Sequence, residues 1–164
     1  LPAEYIGFDS ETTGLDTLAP DFEVVGLCFA LDTTVGYYLP LTHVSPVTGM
    51  LFDPGTSQAP EPLKQLDMAK VLERLKPLLE TKPLVGQNLK YDYKVMLRYG
   101  IKINIAFDTL LASHVADENG KHGLKLLTKK YFGYRAMEWT ELGDEGDTYV
   151  DFKRVKVQEA MKYA

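Results

Sequence analysis

Two carboxylates set the problem: Asp9 and Glu11, in the run Tyr5-Ile6-Gly7-Phe8-Asp9-Ser10-Glu11-Thr12. The run reads as a short strand, and residues i and i+2 of a strand share a face, so the two acids sit side by side. At about 4 Å, two such charges repel by about 4 kcal/mol at an effective dielectric of ~20. Either the pair points into water, or something compensates it. A shared proton is one compensation. A divalent cation is another, because hard ions take carboxylate oxygens. Three further acids fall at the edges of elements. Asp92 lies one turn into a helix that follows a strand, Asp108 opens another helix, and Asp117 closes it. Asp92 reads either as a first-turn acid that complements the helix dipole or as a partner of Asp9 and Glu11 across the sheet end, where sites gather in open α/β sheets. Asp108 reads as an N-cap, and Asp117 as a surface acid.

The elements that must position these acids follow from periodicity. Residues 4–9, 23–31 and 34–39 are β-rich, and Asp32-Thr33 is short enough to join the last two in an antiparallel hairpin, which Pro40 ends. Residues 42–63 carry four prolines and two glycines and read as a surface loop of uncommon length. Asp67 can cap a helix over 68–80 with Val71, Leu72, Leu75, Leu78 and Leu79 on one face, kinked or restarted at Pro77. Leu84-Val85-Gly86 is a short strand. Residues 89–99 form a helix stopped by Gly100, Ile103–Phe107 a fifth strand, and 109–117 and 123–132 two more helices. Residues 133–150 are irregular, and a last helix starts near 154. Three strands followed by alternating helices and strands predict an α/β domain. Its sheet is mixed and five-stranded, an antiparallel meander plus parallel crossover units, flanked by helices.

The chain of 164 residues is long enough for one domain with its own core. Its net charge of −5 argues against a protein that grips duplex DNA with its whole surface, but not against one that holds a few nucleotides at a metal site. No apolar run is long enough for a membrane span, and no secretion signal is visible. The one cysteine, Cys28, lies in Val24-Val25-Gly26-Leu27-Cys28-Phe29-Ala30 and reads as a buried, inert thiol. His114 and His122 lack metal-ligand spacing and read as structural or surface residues. Trp139 and Met137 read as a small packing anchor. The chain opens on Leu1-Pro2 and stops inside a helical pattern, so it reads as a piece of a longer polypeptide, truncated within its last helix.

Three motifs together carry a resemblance. Phe8-Asp9-Ser10-Glu11-Thr12, Val85-Gly86-Gln87-Asn88-Leu89-Lys90-Tyr91-Asp92 and Ala106-Phe107-Asp108-Thr109-Leu110-Leu111 resemble the proofreading 3′–5′ exonuclease domain of family A (bacterial polymerase I-like) DNA polymerases. That family has an RNase H-like fold and belongs to the DEDDy exonucleases. The resemblance implies a two-metal mechanism with Mg²⁺ or Mn²⁺. Asp9 would bridge both ions, Glu11 would hold one and help orient the attacking water, and Asp92 would act on the second through its waters. Phosphodiester hydrolysis suits such a carboxylate cluster, since one cation serves the nucleophile and one the leaving oxygen. The family's last motif is Tyr-x-x-x-Asp. Tyr163 matches its tyrosine, which positions the water, and the chain stops before the aspartate. The chain as written is therefore expected to be nearly inactive.

The resemblance also implies substrate contacts. Thr12 and Leu15 would meet the terminal nucleotide, with Leu15 wedged against its base, and Asn88 and Tyr91 would lie along the single strand. Leu15 and Tyr91 read equally well as core packing. The implied partners are a single-stranded DNA 3′ end and a covalently linked polymerase domain, in the cytoplasm, at the nucleoid or in an organelle. Two alternatives stay open: an RNase D-like exoribonuclease, and a non-catalytic RNase H-like module that supports a polymerase.

Overall fold

The computed structural model describes residues 4–44, 65–142 and 151–164. The elements run β1 (Ile6–Thr12), β2 (Val24–Ala30), β3 (Gly36–Pro40), α1 (Met68–Thr81), β4 (Leu84–Gly86), α2 (Leu89–Leu97), β5 (Ile105–Asp108), α3 (Thr109–Ala116), α4 (Leu124–Phe132) and α5 (Val157–Tyr163). Short 3₁₀ turns at Trp139–Glu141 and Phe152–Arg154 precede α5. The strands form one sheet in the order β3-β2-β1-β4-β5. β1 pairs antiparallel with β2 and parallel with β4; β2–β3 is antiparallel and β4–β5 parallel. The predicted mixed five-stranded sheet is therefore present, with β1 at its centre.

Local chemistry sets most boundaries. Asp67 caps α1 by accepting from the Lys70 N–H at 3.1 Å, and Asp108 caps α3 by accepting from Leu110 N–H at 2.9 Å. Gly100 and Gly133 close α2 and α4 at φ of +70° and +67°, where a side chain would be strained. Asp32 folds the hairpin turn by accepting from Thr34 N–H and Val35 N–H. Two expectations need correction. Helix α1 does not restart at Pro77, which lies within one continuous element; the Leu72 and Leu79 anchors on either side of it are buried, and that packing carries the helix through. The last helix begins at Val157 rather than near 154, because Asp151 turns the chain into a 3₁₀ turn by accepting from Lys153 N–H. The reading of 42–63 as a loop falls mostly outside the described residues, as does part of the irregular stretch 133–150.

Alternation along the strands gives the sheet two unlike faces. Phe8, Leu27 and Leu84 join Leu72, Leu79, Leu89, Val95 and Met96 in the main core under α1 and α2. A smaller cluster of Val25, Leu142, Phe152, Val155 and Ala160 includes Tyr38 and Tyr163 at its margin. The register of β1 and β2 shifts between Glu11 and Thr12, leaving Val25 as the extra residue of a bulge. That bulge turns Val25 into the smaller cluster while Val24 stays in the main core.

Candidate active site

The site lies on the central strand, on the face opposite the main core. Asp9 and Glu11 project together from β1, and their carboxylate oxygens lie within 4.8 Å of each other and of the Cys28 sulfur. Between them Ser10 points to the other face, where its hydroxyl donates to Asp92 Oδ1 at 2.6 Å. Asp92 is 1% exposed. It sits in the first turn of α2, where β4 has brought the chain alongside β1.

Electrostatics unite the three acids. Loss of hydration raises Asp9 to a pKa of about 7, and the charge of Asp92 adds to the rise. Asp9 has an exposed surface but lines a concave cleft of about 610 Å³, which accounts for the lost hydration. Glu11 is raised to about 8, by loss of hydration first and then by Asp9 and Asp92. Asp92 is raised to about 6 by burial, against the pull of the Ser10 hydroxyl. Three acids that hold protons near neutrality form a site short of positive charge. Of the nearby basic groups, Lys125 acts on Glu11 and eases its rise. The donors are oxygen-rich, adjacent and poorly compensated, so they fit divalent cations.

The structure also brings Tyr163 here. Its ring packs edge-on to Trp139, with centroids 5.6 Å apart, and Lys125 Nζ lies 4.7 Å from its ring centre. Burial first, and then Glu11 and Asp9, raise its hydroxyl to about 12. Trp139 stacks on Phe152 at 5.7 Å, so the expected packing anchor is the support of Tyr163. Among the residues expected to meet substrate, Leu15 is 87% exposed and belongs to no core. Asn88 is exposed at φ +60°, a left-handed position held by Asp108 Oδ1, which accepts from its N–H at 3.0 Å. The Tyr91 ring packs partly against the main core. Its hydroxyl donates to Gly14 O at 2.7 Å and shares a 2.6 Å hydrogen bond with Thr12 Oγ1. Tyr91 and Thr12 therefore hold the turn after β1 that carries Leu15.

Asp108 is the helix cap it was read to be, and Asp117 is a surface acid 3.7 Å from Lys130 Nζ. His122 Nδ1 pairs with Ser113 Oγ at 2.9 Å, and its ring lies 3.6 Å from that of His114, a structural contact. The reading of Cys28 as buried is corrected: Cys28 is half-buried and faces the acids, because the antiparallel register sets it opposite Asp9. Loss of hydration first, then Asp9, Glu11 and Asp92, push its thiol far up, in keeping with an inert thiol in the metal-free site. Hairpin arithmetic with the register could have found it. Ser10 was visible as the odd-parity residue between the acids. Lys125 gave no signal, since it reaches the site only through the packing of α4.

A family model described as 3′–5′ exonuclease matches residues 1–164. DNA polymerase I of Rhizobium leguminosarum is 36% identical over 171 residues, covering 97% of this chain and 16% of its own length. DNA polymerase I of Pseudomonas aeruginosa is 34% identical over 168 residues, covering 99% and 17%. The chain thus spans about a sixth of the length of these relatives. Among solved structures, NrnC of Brucella melitensis superposes with a TM-score of 0.64 at 15% identity, over 99% of this chain and 65% of its own. A product-bound exonuclease I superposes with a TM-score of 0.54 at 16% identity, over 83% of this chain and 40% of its own. These structural likenesses speak to the fold, which is RNase H-like.

Proposed function

Because the chain belongs to the 3′–5′ exonuclease family of family A DNA polymerases, we propose that it removes nucleotides from the 3′ end of single-stranded DNA by metal-dependent phosphodiester hydrolysis. The observation that carries this reading is the Asp9–Glu11 pair on the central strand, with the charge of Asp92 bearing on both. Asp9 and Glu11 would hold two divalent cations, Mg²⁺ or Mn²⁺, and Asp92 would contribute its charge from behind, one oxygen occupied by Ser10. When bound, such cations supply a more acidic attacking water and stabilise charge on the leaving 3′ oxygen. Glu11 would orient that water, and Tyr163 offers a hydroxyl that stays protonated at neutral pH and can donate to it or accept from it. Leu15, exposed on the turn held by Tyr91 and Thr12, would wedge against the terminal base, and Asn88 would lie along the strand. Full-length relatives named DNA polymerase I support a linked polymerase domain as the partner. Among the described residues, no helix is long and apolar enough to cross a membrane.

The test is hydrolysis of end-labelled single strands by the domain extended through the whole of the family's Tyr-x-x-x-Asp motif, with and without chelator, on DNA and on RNA of the same sequence. The expected result is mononucleotide release from DNA that stops in EDTA. Activity that survives the chelator overturns the metal mechanism, and equal or faster release from RNA favours the exoribonuclease reading.

A further inference from the structure

We propose that Cys28 adds a sulfur donor to the Asp9–Glu11 pair, so that this site takes a thiophilic dication, Zn²⁺ or Cd²⁺, through mixed oxygen–sulfur coordination. The inference rests on the metal-binding reading of the carboxylates given above. It starts from register. β1 and β2 run antiparallel with Asp9 opposite Cys28, so the two side chains leave the sheet on the same face, and Glu11 follows two residues on. The sulfur and one oxygen of each carboxylate lie within 4.8 Å of one another. Donors around a single zinc stand roughly 3.5 Å apart, given bonds of about 2.3 Å to sulfur and about 2.0–2.2 Å to oxygen. A modest side-chain rotation closes the difference, and Cys28 and Asp9 both line the open cleft that gives it room.

The donor chemistry then separates metals. Mg²⁺ is hard, takes oxygen ligands in a near-ideal octahedron and keeps several waters, so a thiol beside it is a bystander. Zn²⁺ and Cd²⁺ favour thiolate, and a sulfur among carboxylates tilts the site toward them. Binding displaces the thiol proton: the S–H bond breaks, the sulfur–metal bond forms from the same electron pair, and one proton passes to solvent. No oxidant or further reactant is involved. The residue opposite Cys28 on β3, Tyr38, shares its hydroxyl with His43 Nε2 at 2.6 Å, and the acids that hold the metal-free thiol protonated are the groups whose charge a bound dication would neutralise.

The experiment titrates the folded chain, and its Cys28→Ser, Cys28→Ala and Asp9→Asn variants, with Cd²⁺ and Zn²⁺. The sulfur-to-cadmium charge-transfer band in the ultraviolet is followed, together with the rate of Cys28 modification by a thiol reagent. Mn²⁺ binding, read from its electron paramagnetic resonance signal, runs beside it. The expected result is a cadmium–sulfur band in the unmodified chain that is absent in both Cys28 variants and weakened in Asp9→Asn. Zn²⁺ should slow thiol modification where Mg²⁺ does not. Loss of an outer partner costs metal sites about 10–100-fold, so loss of this direct donor should weaken Zn²⁺ binding by about tenfold or more. Cadmium binding without the band, or equal Zn²⁺ affinity in Cys28→Ser, overturns the proposal. If Mn²⁺ still binds in that case, the carboxylate metal site stands and only the sulfur donor falls. If Mn²⁺ binds to none of the chains, both readings fall together.

Discussion

Asp9, Glu11 and Asp92 are costly to hold together, and their protonation states that cost. In the unfolded chain Asp and Glu titrate near 3.8 and 4.5; in the folded chain Asp9 and Glu11 titrate at about 7 and about 8. Between those limits the folded state binds more protons than the unfolded one, so metal-free stability falls as pH rises and levels off above about 8. Thermal melts in chelator should show this decline, Asp9→Asn should flatten it, and a dication at pH 8 should reverse it. In the domain that carries the whole last motif, Asp9→Asn should also lose nuclease activity by orders of magnitude while its metal-free melting temperature holds or rises. A large drop in that temperature would make Asp9 a structural residue. Tyr91 belongs to a different class. Tyr91→Phe removes two hydrogen bonds from the turn that carries Leu15, each worth about 0.5–1.5 kcal/mol. Binding of a short single strand, measured by fluorescence anisotropy, should weaken several-fold with Mn²⁺ affinity unchanged. Unchanged strand affinity would separate the turn from the substrate. The carboxylates were legible in the sequence because two-residue spacing alone puts them on one face. The hydroxyl of Tyr91 was not, because its partners lie 77 and 79 residues away.

Among the elements, the contact of β4 with β1 governs where Asp92 stands. Gly86 ends β4, and a Cβ on it would lie 2.5 Å from Phe8 O and 2.7 Å from Leu89 Cδ2. Backbone on one side and a buried leucine on the other leave no room, so Gly86→Ala must push β4 and the start of α2 away from β1. Overpacking of this kind costs about 1–3 kcal/mol, which at about 2–4 °C per kcal/mol lowers the melting temperature by several degrees. In the domain that carries the whole last motif, activity should fall further than stability, since the same displacement moves Asp92; a melt and a rate on one preparation decide it. Gly123, with open space around it and away from the turn that carries Leu15, gives the contrasting control. Element order and type were readable because capping acids, turn glycines and apolar spacing agree along most of the chain. The start of α5 was missed because a 3₁₀ turn and an α-helix share the same local signals over 152–157.

The molecule as a whole divides its stability unevenly. The main core lies under α1 and α2, whereas Tyr163 rides on the smaller cluster around Phe152. Phe152 is 1% exposed and touches the rings of His43, Trp139 and Tyr163. Phe152→Ala, a truncation that costs about 3–5 kcal/mol in a well-packed core, should loosen α5 first. Hydrogen exchange should then speed up in α5 while the amides shared by β1 and β2 keep their protection. A uniform increase across the sheet would show that the two clusters unfold as one. The division was not visible in the sequence, because no local pattern reveals that Val25 is turned out of its strand's alternation by a bulge.

The sheet order carries one more consequence, in time rather than in space. The strands β1, β2 and β3 are neighbours in the chain and pair locally, whereas β1 meets β4 only after more than seventy intervening residues. Local pairings close early and distant ones late. Asp9 and Glu11 can therefore enter their hairpin before Asp92 arrives, and the full mutual repulsion is met only when β4 docks. If that docking lies beyond the rate-limiting step, neutralising the acids should leave the folding rate nearly untouched and act on the reverse reaction. Stopped-flow measurements with Mg²⁺ should show a slower unfolding arm and an unchanged folding arm. The ion would then act on how long the assembled site lasts, and the speed of its assembly would be set by the chain alone.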